Sequence, residues 1–240
     1  MKSWQIFVIG SLVGAAAFAG GMALQRALST GQATFTEITV GRINIAEPDG
    51  TPRLIISSKS RVPGAFVQGK EIPRPDRTSA AGMLFINEDG TENGGFLQSG
   101  HVDAQGVADA GLSLTFDRFR QDQTFQLLQV EEQGRSYAGV IINDQPDHRA
   151  FSVSQLMALV ARAKTLPQAE QDALFKPYAE RGELGNQRAY LGTTAKGTST
   201  LLLRDPQGRP RIRLAVTAAG EPRIEILDAA GSVVRALESP

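Results

Sequence analysis

Two histidines are the side chains in this chain best suited to acid–base or metal chemistry. His101 lies two residues before Asp103 in a glycine-flanked polar stretch, and His148 follows Asp144 and Asp147 in the run NDQPDHR. Each sets an imidazole near a carboxylate, the minimum for an oriented general base. A zinc site asks for three or four ligands at recognisable spacing, which neither stretch supplies. The serines lack a G-x-S-x-G elbow, and no P-loop, dinucleotide fingerprint or EF-hand loop occurs. The D-x-x-G segments offer one or two carboxylates each, too few for a dedicated calcium cage. Cysteine is absent, which removes disulfides, thiolate–metal sites and thiol catalysis. No catalytic, cofactor-binding or metal-binding residue is therefore assigned, and no cofactor is expected.

What would position any site begins with a run of 19 uncharged residues, Ile6 to Leu24, IFVIGSLVGAAAFAGGMAL. As a helix at about 1.5 Å per residue it spans roughly 28 Å, close to the hydrocarbon thickness of a bilayer. Lys2 and the Ala17-Phe18-Ala19 pattern before Gly20 also fit a signal peptide. The run is longer than the roughly 7–15 apolar residues of a signal, however, and continues past that cleavage point. An uncleaved anchor over residues 1–30 is the expectation, with the N-terminus inside and the bulk of the chain extracytoplasmic. The alternative is a chain secreted after cleavage. Gly10 and Gly14 have the spacing of close-packed membrane helices, but Gly and Ala fill the whole run, so the spacing is not selective. Homo-oligomerisation is left open.

The chain balances 25 basic against 25 acidic residues, which argues against a general nucleic-acid binder. Aromatic residues make up 6%, too few to suggest a platform for stacking sugars or bases. The length beyond the anchor fits one domain or two small ones with a real core.

Hairpins recur along that remainder. INIAEPDGTPRLII (43–56), LLLRDPQGRPRIRL (201–214) and IEILDAAGSVVRAL (224–237) share one layout: an apolar stretch, Asp or Glu, two residues, Gly, and a second apolar stretch. LFINEDGTENGGFL and LLQVEEQGRSYAGVII are looser copies. The acidic residue opens a turn, Pro presets φ, and Gly50, Gly90, Gly134, Gly208 or Gly231 takes the left-handed position. Three-residue loops at 206–208, 218–220 and 229–231 would align Leu202, Ile212, Ile226 and Val234 on a buried face. Thr200, Leu214, Ile224 and Ala236 would form the next row, and Arg213, Glu225 and Arg235 a charged line on the solvent face. Further strands are expected near 35–46, 51–58, 81–87, 94–99, 111–119, 123–131 and 136–143. Residues 59–80, with three prolines, predict a long exposed loop, and residues 100–109 a second polar loop.

The alternation breaks at Ser152. Val153, Leu156, Met157 and Val160 form a helical stripe capped by Ser152 or Ser154. A second helix opens at Thr165–Pro167, carries Pro177 inside it and stops at Gly182. This hairpin, over 152–181, is expected to cover the sheet with its stripe buried.

The expected fold is mainly β: an N-terminal transmembrane helix, then an antiparallel β-meander over 35–240 (open sheet, sandwich or barrel) with the helical hairpin inserted. Two functions are consistent with it. One is a membrane-anchored domain that binds or scaffolds a partner in the cell envelope. The other is an exported, hydrolase-like enzyme with a loop-built site near His101 and His148.

Overall fold

The computed structural model describes residues 33–238. The apolar run at 6–24, and the anchor, signal and orientation expected from it, lie outside the described residues. Among the described residues no helix is long and apolar enough to cross a membrane. The chain divides into two units, Met1–Val40 and Gly41–Pro240. The described strands and helices all lie in the second.

The fold is mainly β, with two α-helices among the described residues. In chain order the strands are β1 (Arg42–Ala46), β2 (Pro52–Ser57), β3 (Ala65–Val67), β4 (Lys70–Ile72), β5 (Ala81–Ile86), β6 (Glu92–Val102) and β7 (Ala108–Asp117). They continue as β8 (Gln123–Glu132), β9 (Arg135–Asp144), then helices α1 (Val153–Ala163) and α2 (Gln168–Glu180). The last five strands are β10 (Asn186–Thr193), β11 (Ser199–Arg204), β12 (Pro210–Val216), β13 (Pro222–Leu227) and β14 (Val233–Glu238). Twelve strands form one antiparallel sheet in the order β1-β2-β5-β6 and onward to β14, and β3 pairs only with β4. The sheet is a meander interrupted twice, by the β3–β4 arm and by the two helices.

The turns follow the expected chemistry. At 47–51 and 205–209 the first residue's N–H donates to the fifth carbonyl, and the glycine N–H donates back to the first carbonyl at 2.9 Å. Asp205 and Asp228 each accept two backbone N–H groups through Oδ1, the turn-opening role of a short carboxylate. Thr194 and Thr217 open turns of the same kind. Gly134 differs: it follows Gln133, both at positive φ, in a two-residue hairpin turn.

Several expectations need correction. The first strand begins at Arg42, not near 35, because β2 ends at Ser57, opposite Arg42. The last bond of that ladder runs from the Ser58 N–H to the Gly41 carbonyl. The stretch 100–109 is half strand, the ends of β6 and β7, joined by a tight turn from Asp103 to Gly106. The stretch 59–80 is not an exposed loop: it folds into the β3–β4 arm, and Ala65, Phe66 and Arg77 on it are buried.

The C-terminal register also shifts. The pairing of Ile212 with Ile226, and of Arg213 with Glu225, is as expected. Bulges next to the flanking turns slip β11 and β14 by one residue, so Leu203 rather than Leu202 faces Ile212, and Arg235 rather than Val234 faces Ile226. A bulge inserts one unpaired residue and flips every side chain beyond it. Arg235 therefore leaves the charged line. The burial is also reversed: Glu225 is 9% exposed, whereas Ile224 and Ile226 are each 44% exposed. Among the described residues no second layer covers the aliphatic face there.

The core lies at the other end of the sheet and on the opposite face. Ile55, Leu84 and Ile86 are almost fully buried and pack with Phe66 of the arm and the half-buried Leu97. Burying each of these large side chains contributes roughly 1.5–3 kcal/mol. The face turned away from this core carries Ile43, Ile56, Met83, Phe96, Leu114 and Leu127, each directly opposite the next.

Candidate functional site

The two interruptions of the meander meet the same end of the sheet and enclose a cleft of about 550 Å³. One wall is the arm, through Phe66, Val67 and Ile72, continued by the 3-10 turn Pro75–Arg77. The other is α1, through Val153, Leu156, Met157, Val160 and Lys164. Thr91, Glu92, Asp117, Gln121 and Asp122, from the ends of β6, β7 and β8 and their turns, complete the lining.

Each wall is held by local chemistry. Gln68 and Gly69 turn the arm with both φ positive (48° and 76°). The Gly69 N–H donates to the Gly90 carbonyl at 3.0 Å, and the Gln68 N–H to Thr91 Oγ1 at 3.1 Å, which ties the arm's tip to the β5–β6 turn. That approach needs glycine, since a Cβ at Gly90 would stand 2.5 Å from the Gly69 nitrogen. The base of the arm is fixed by Arg77, only 8% exposed, which forms a two-pronged pair with Glu92 at 2.9 and 2.5 Å and donates to the Gly64 carbonyl at 3.1 Å. Arg74 grips Asp76 in the same turn and holds its carboxyl down at about 2.

On the opposite wall, Ser152 caps α1 in a reciprocal box with Gln155. Gln121, buried in the β7–β8 turn, donates from its side chain to the Phe151 carbonyl just before that cap. The expected burial of the α1 stripe is corrected here. Leu159 and Ala163 are the buried residues of α1, while Val160 is 37% exposed. Val153, Leu156, Met157 and Val160 line the cleft instead of packing flat on the sheet.

The inner end is acidic. Burial pushes the Asp117 carboxyl up to about 8, the charges of Glu92 and Asp122 push the same way, and Arg77 opposes them. Asp117 Oδ1 is buried without a hydrogen-bond partner among the described residues. Desolvation disfavours the charged form of a carboxyl group, so Asp117 is a protonated acid at neutral pH. Neither Asp117 nor Asp122 forms an ion pair among the described residues. The cleft thus combines apolar walls with carboxyl groups at its inner end, an arrangement that suits a ligand with an apolar body and a basic group.

The histidines lie elsewhere. His101 is exposed near the end of β6, opposite Asp109 on β7. His148 packs edge-on against Phe119, with ring centroids 5.5 Å apart, beyond the other end of β7. From Asp109 to Asp117 the strand alone spans roughly 27 Å at about 3.4 Å per residue, so the two histidines share no site. His148 lies 3.7 Å from Asp147, whose carboxyl is held far below the usual range by its hydrogen bonds to Arg149. Among the described residues, no group of three or more His, Cys, Asp or Glu could hold a metal. Asp117 carried no signal in the sequence, because Glu92 and Asp122, which perturb it, come from separate turns.

No family model matches the chain, and no curated protein matches it.

Proposed function

We propose that this domain is a binding module of the cell envelope, held at the membrane by residues 6–24, and that the cleft is where its partner docks. The observation that carries this reading is the construction of the cleft. Its two walls are the two segments that interrupt the meander, and a scaffold that interrupts its own repeat commonly does so to present function. The α1 stripe supplies apolar contact area, the protonated Asp117 a hydrogen-bond donor, and Asp122 a carboxyl group without an ion pair among the described residues, which would receive a basic group on the partner.

Capture from detergent-solubilised membranes tests it. Val160→Arg, placed at an already exposed position of the cleft wall, should abolish capture without unfolding the chain. Arg135→Ala, at the start of β9 beside the distant β8–β9 turn, should leave it intact. Equal capture by both variants would count against the cleft.

A second reading, an exported hydrolase-like enzyme, is favoured by one observation, the protonated Asp117 in a cleft. A carboxyl group with such a raised pKa is suited to general-acid work. It predicts turnover of simple ester or glycoside substrates that Asp117→Asn eliminates. Turnover surviving in that variant would exclude Asp117 as the acid.

A further inference from the structure

We infer that the aliphatic face of the twelve-stranded sheet is an interface between copies of this chain. The row that begins at Ile43 does not stop at Leu127. It continues strand by strand through Val140, Leu191, Leu201, Leu214, Ile224 and Leu237, each directly opposite the next. Every strand of the sheet thus gives this row one aliphatic residue, Met or Phe, and none gives it a charge. A parallel row from Phe116 through Phe125, Ile142, Leu203 and Ile212 to Ile226 is also uncharged, and meets its first charge at Arg235 on the edge strand.

Half of the first row is open in the single chain, with Leu191 56% exposed and Leu214 and Ile224 38% and 44% exposed, and the other half is part-buried. A sheet with one apolar face is stable when another layer buries it. With twelve strands about 4.8 Å apart, and the two rows with their margins about 14 Å tall, the face measures roughly 700 Å². That exceeds the roughly 300–600 Å² of the largest apolar patch on a typical monomer. It is close to the roughly 800 Å² per partner of a stable interface.

The shape selects the occupant. A single helix would cover only a small part of a face about 53 Å wide. A second sheet of the same kind covers it at the usual spacing of about 10 Å, with the rows of one copy seated between those of the other. A shallow groove of about 360 Å³ around Leu191, Leu201, Leu214 and Ile224 gives such rows a place to enter. This inference is independent of the cleft, which lies on the covered side of the sheet with Asp117.

The test is the mass of the purified full chain in mild detergent, measured by sedimentation velocity with the detergent density-matched. The expected result is a whole number of chains, two at least. Leu191→Glu and Ile224→Glu should each reduce the mass toward a single chain while the circular dichroism spectrum is unchanged, because both positions are already open in the single chain. Arg213→Gln, on the opposite face, should keep the wild-type mass. A wild-type mass of one chain would overturn the inference, including the case in which the single chain carries extra detergent that Leu191→Glu removes, which points to a lipid surface. Full assembly in both Glu variants would overturn it as well and place the self-association elsewhere in the chain.

Discussion

The two ends of the sheet are built from the same hairpin but are covered differently. At β2 and β5, Ile55, Leu84 and Ile86 are closed over by Phe66 of the arm. At β12 and β13 the alternation is equally regular, yet the better-buried face holds the Arg213–Glu225 pair at 2.7 Å, and Ile212, Leu214, Ile224 and Ile226 stand open on the other. Turn chemistry and ladder pairing are therefore enough to build the sheet, but not to decide which face is inside. That is decided by the inserted arm and by the layers laid over the strands.

Changes at the covered end should have the largest effects. Arg77→Met leaves the Glu92 carboxylate, itself largely buried, without its partner. Breaking such a pair costs roughly 3–5 kcal/mol, and urea unfolding should show a loss of that size. Leu84→Ala opens a cavity in the core and should cost roughly 2–5 kcal/mol. Ile224→Ala, at the open end, should cost less than about 1 kcal/mol in variants that do not self-associate. Equal losses at the two positions would erase the difference between the ends.

Asp117 sharpens the comparison through pH. Its carboxyl titrates at about 8 in the fold against an ordinary value of 3.8, so the folded chain holds this proton more tightly than the unfolded chain does. For a raised carboxyl the contribution to stability is complete below about pH 4, declines as the pH rises toward 8, and is lost above it. Urea midpoints at pH 5 and pH 8 should show the decline, and Asp117→Asn should remove it. At the open end the effects should be smallest. A double-mutant cycle on Arg213 and Glu225 should give a coupling of about 0.2–1 kcal/mol, because Arg213 remains partly in water.

Much of this fold was legible in the residues. The Asp-x-x-Gly turns at 205–208 and 228–231, the β12–β13 register and the helical hairpin all rest on local chemistry: a carboxylate that accepts turn N–H groups, a glycine at positive φ, a Ser152 cap. The bulges were not legible, because the extra residue is an ordinary one, Arg211 on β12 and Val234 on β14. The arm was concealed by its prolines, since Pro63, Pro73 and Pro75 flank two three-residue strands too short to show alternation. The cleft was the least legible feature. Its walls lie some ninety residues apart in the chain, and no local pattern connects Phe66 to Met157. The histidines attracted notice by residue type, but position along the strands separates them.

The most direct test of the cleft as the working site is site-specific photo-crosslinking in cells expressing the full chain. A photoreactive residue at Val67 on the arm, or at Met157 on α1, should give adducts with the same species. The same probe at Ala158 or Arg162, on the outward side of α1, should give none. Adducts from Ala158 and Arg162, with none from Val67 or Met157, would mean that the helix docks by its outer face and would contradict the cleft as the binding site.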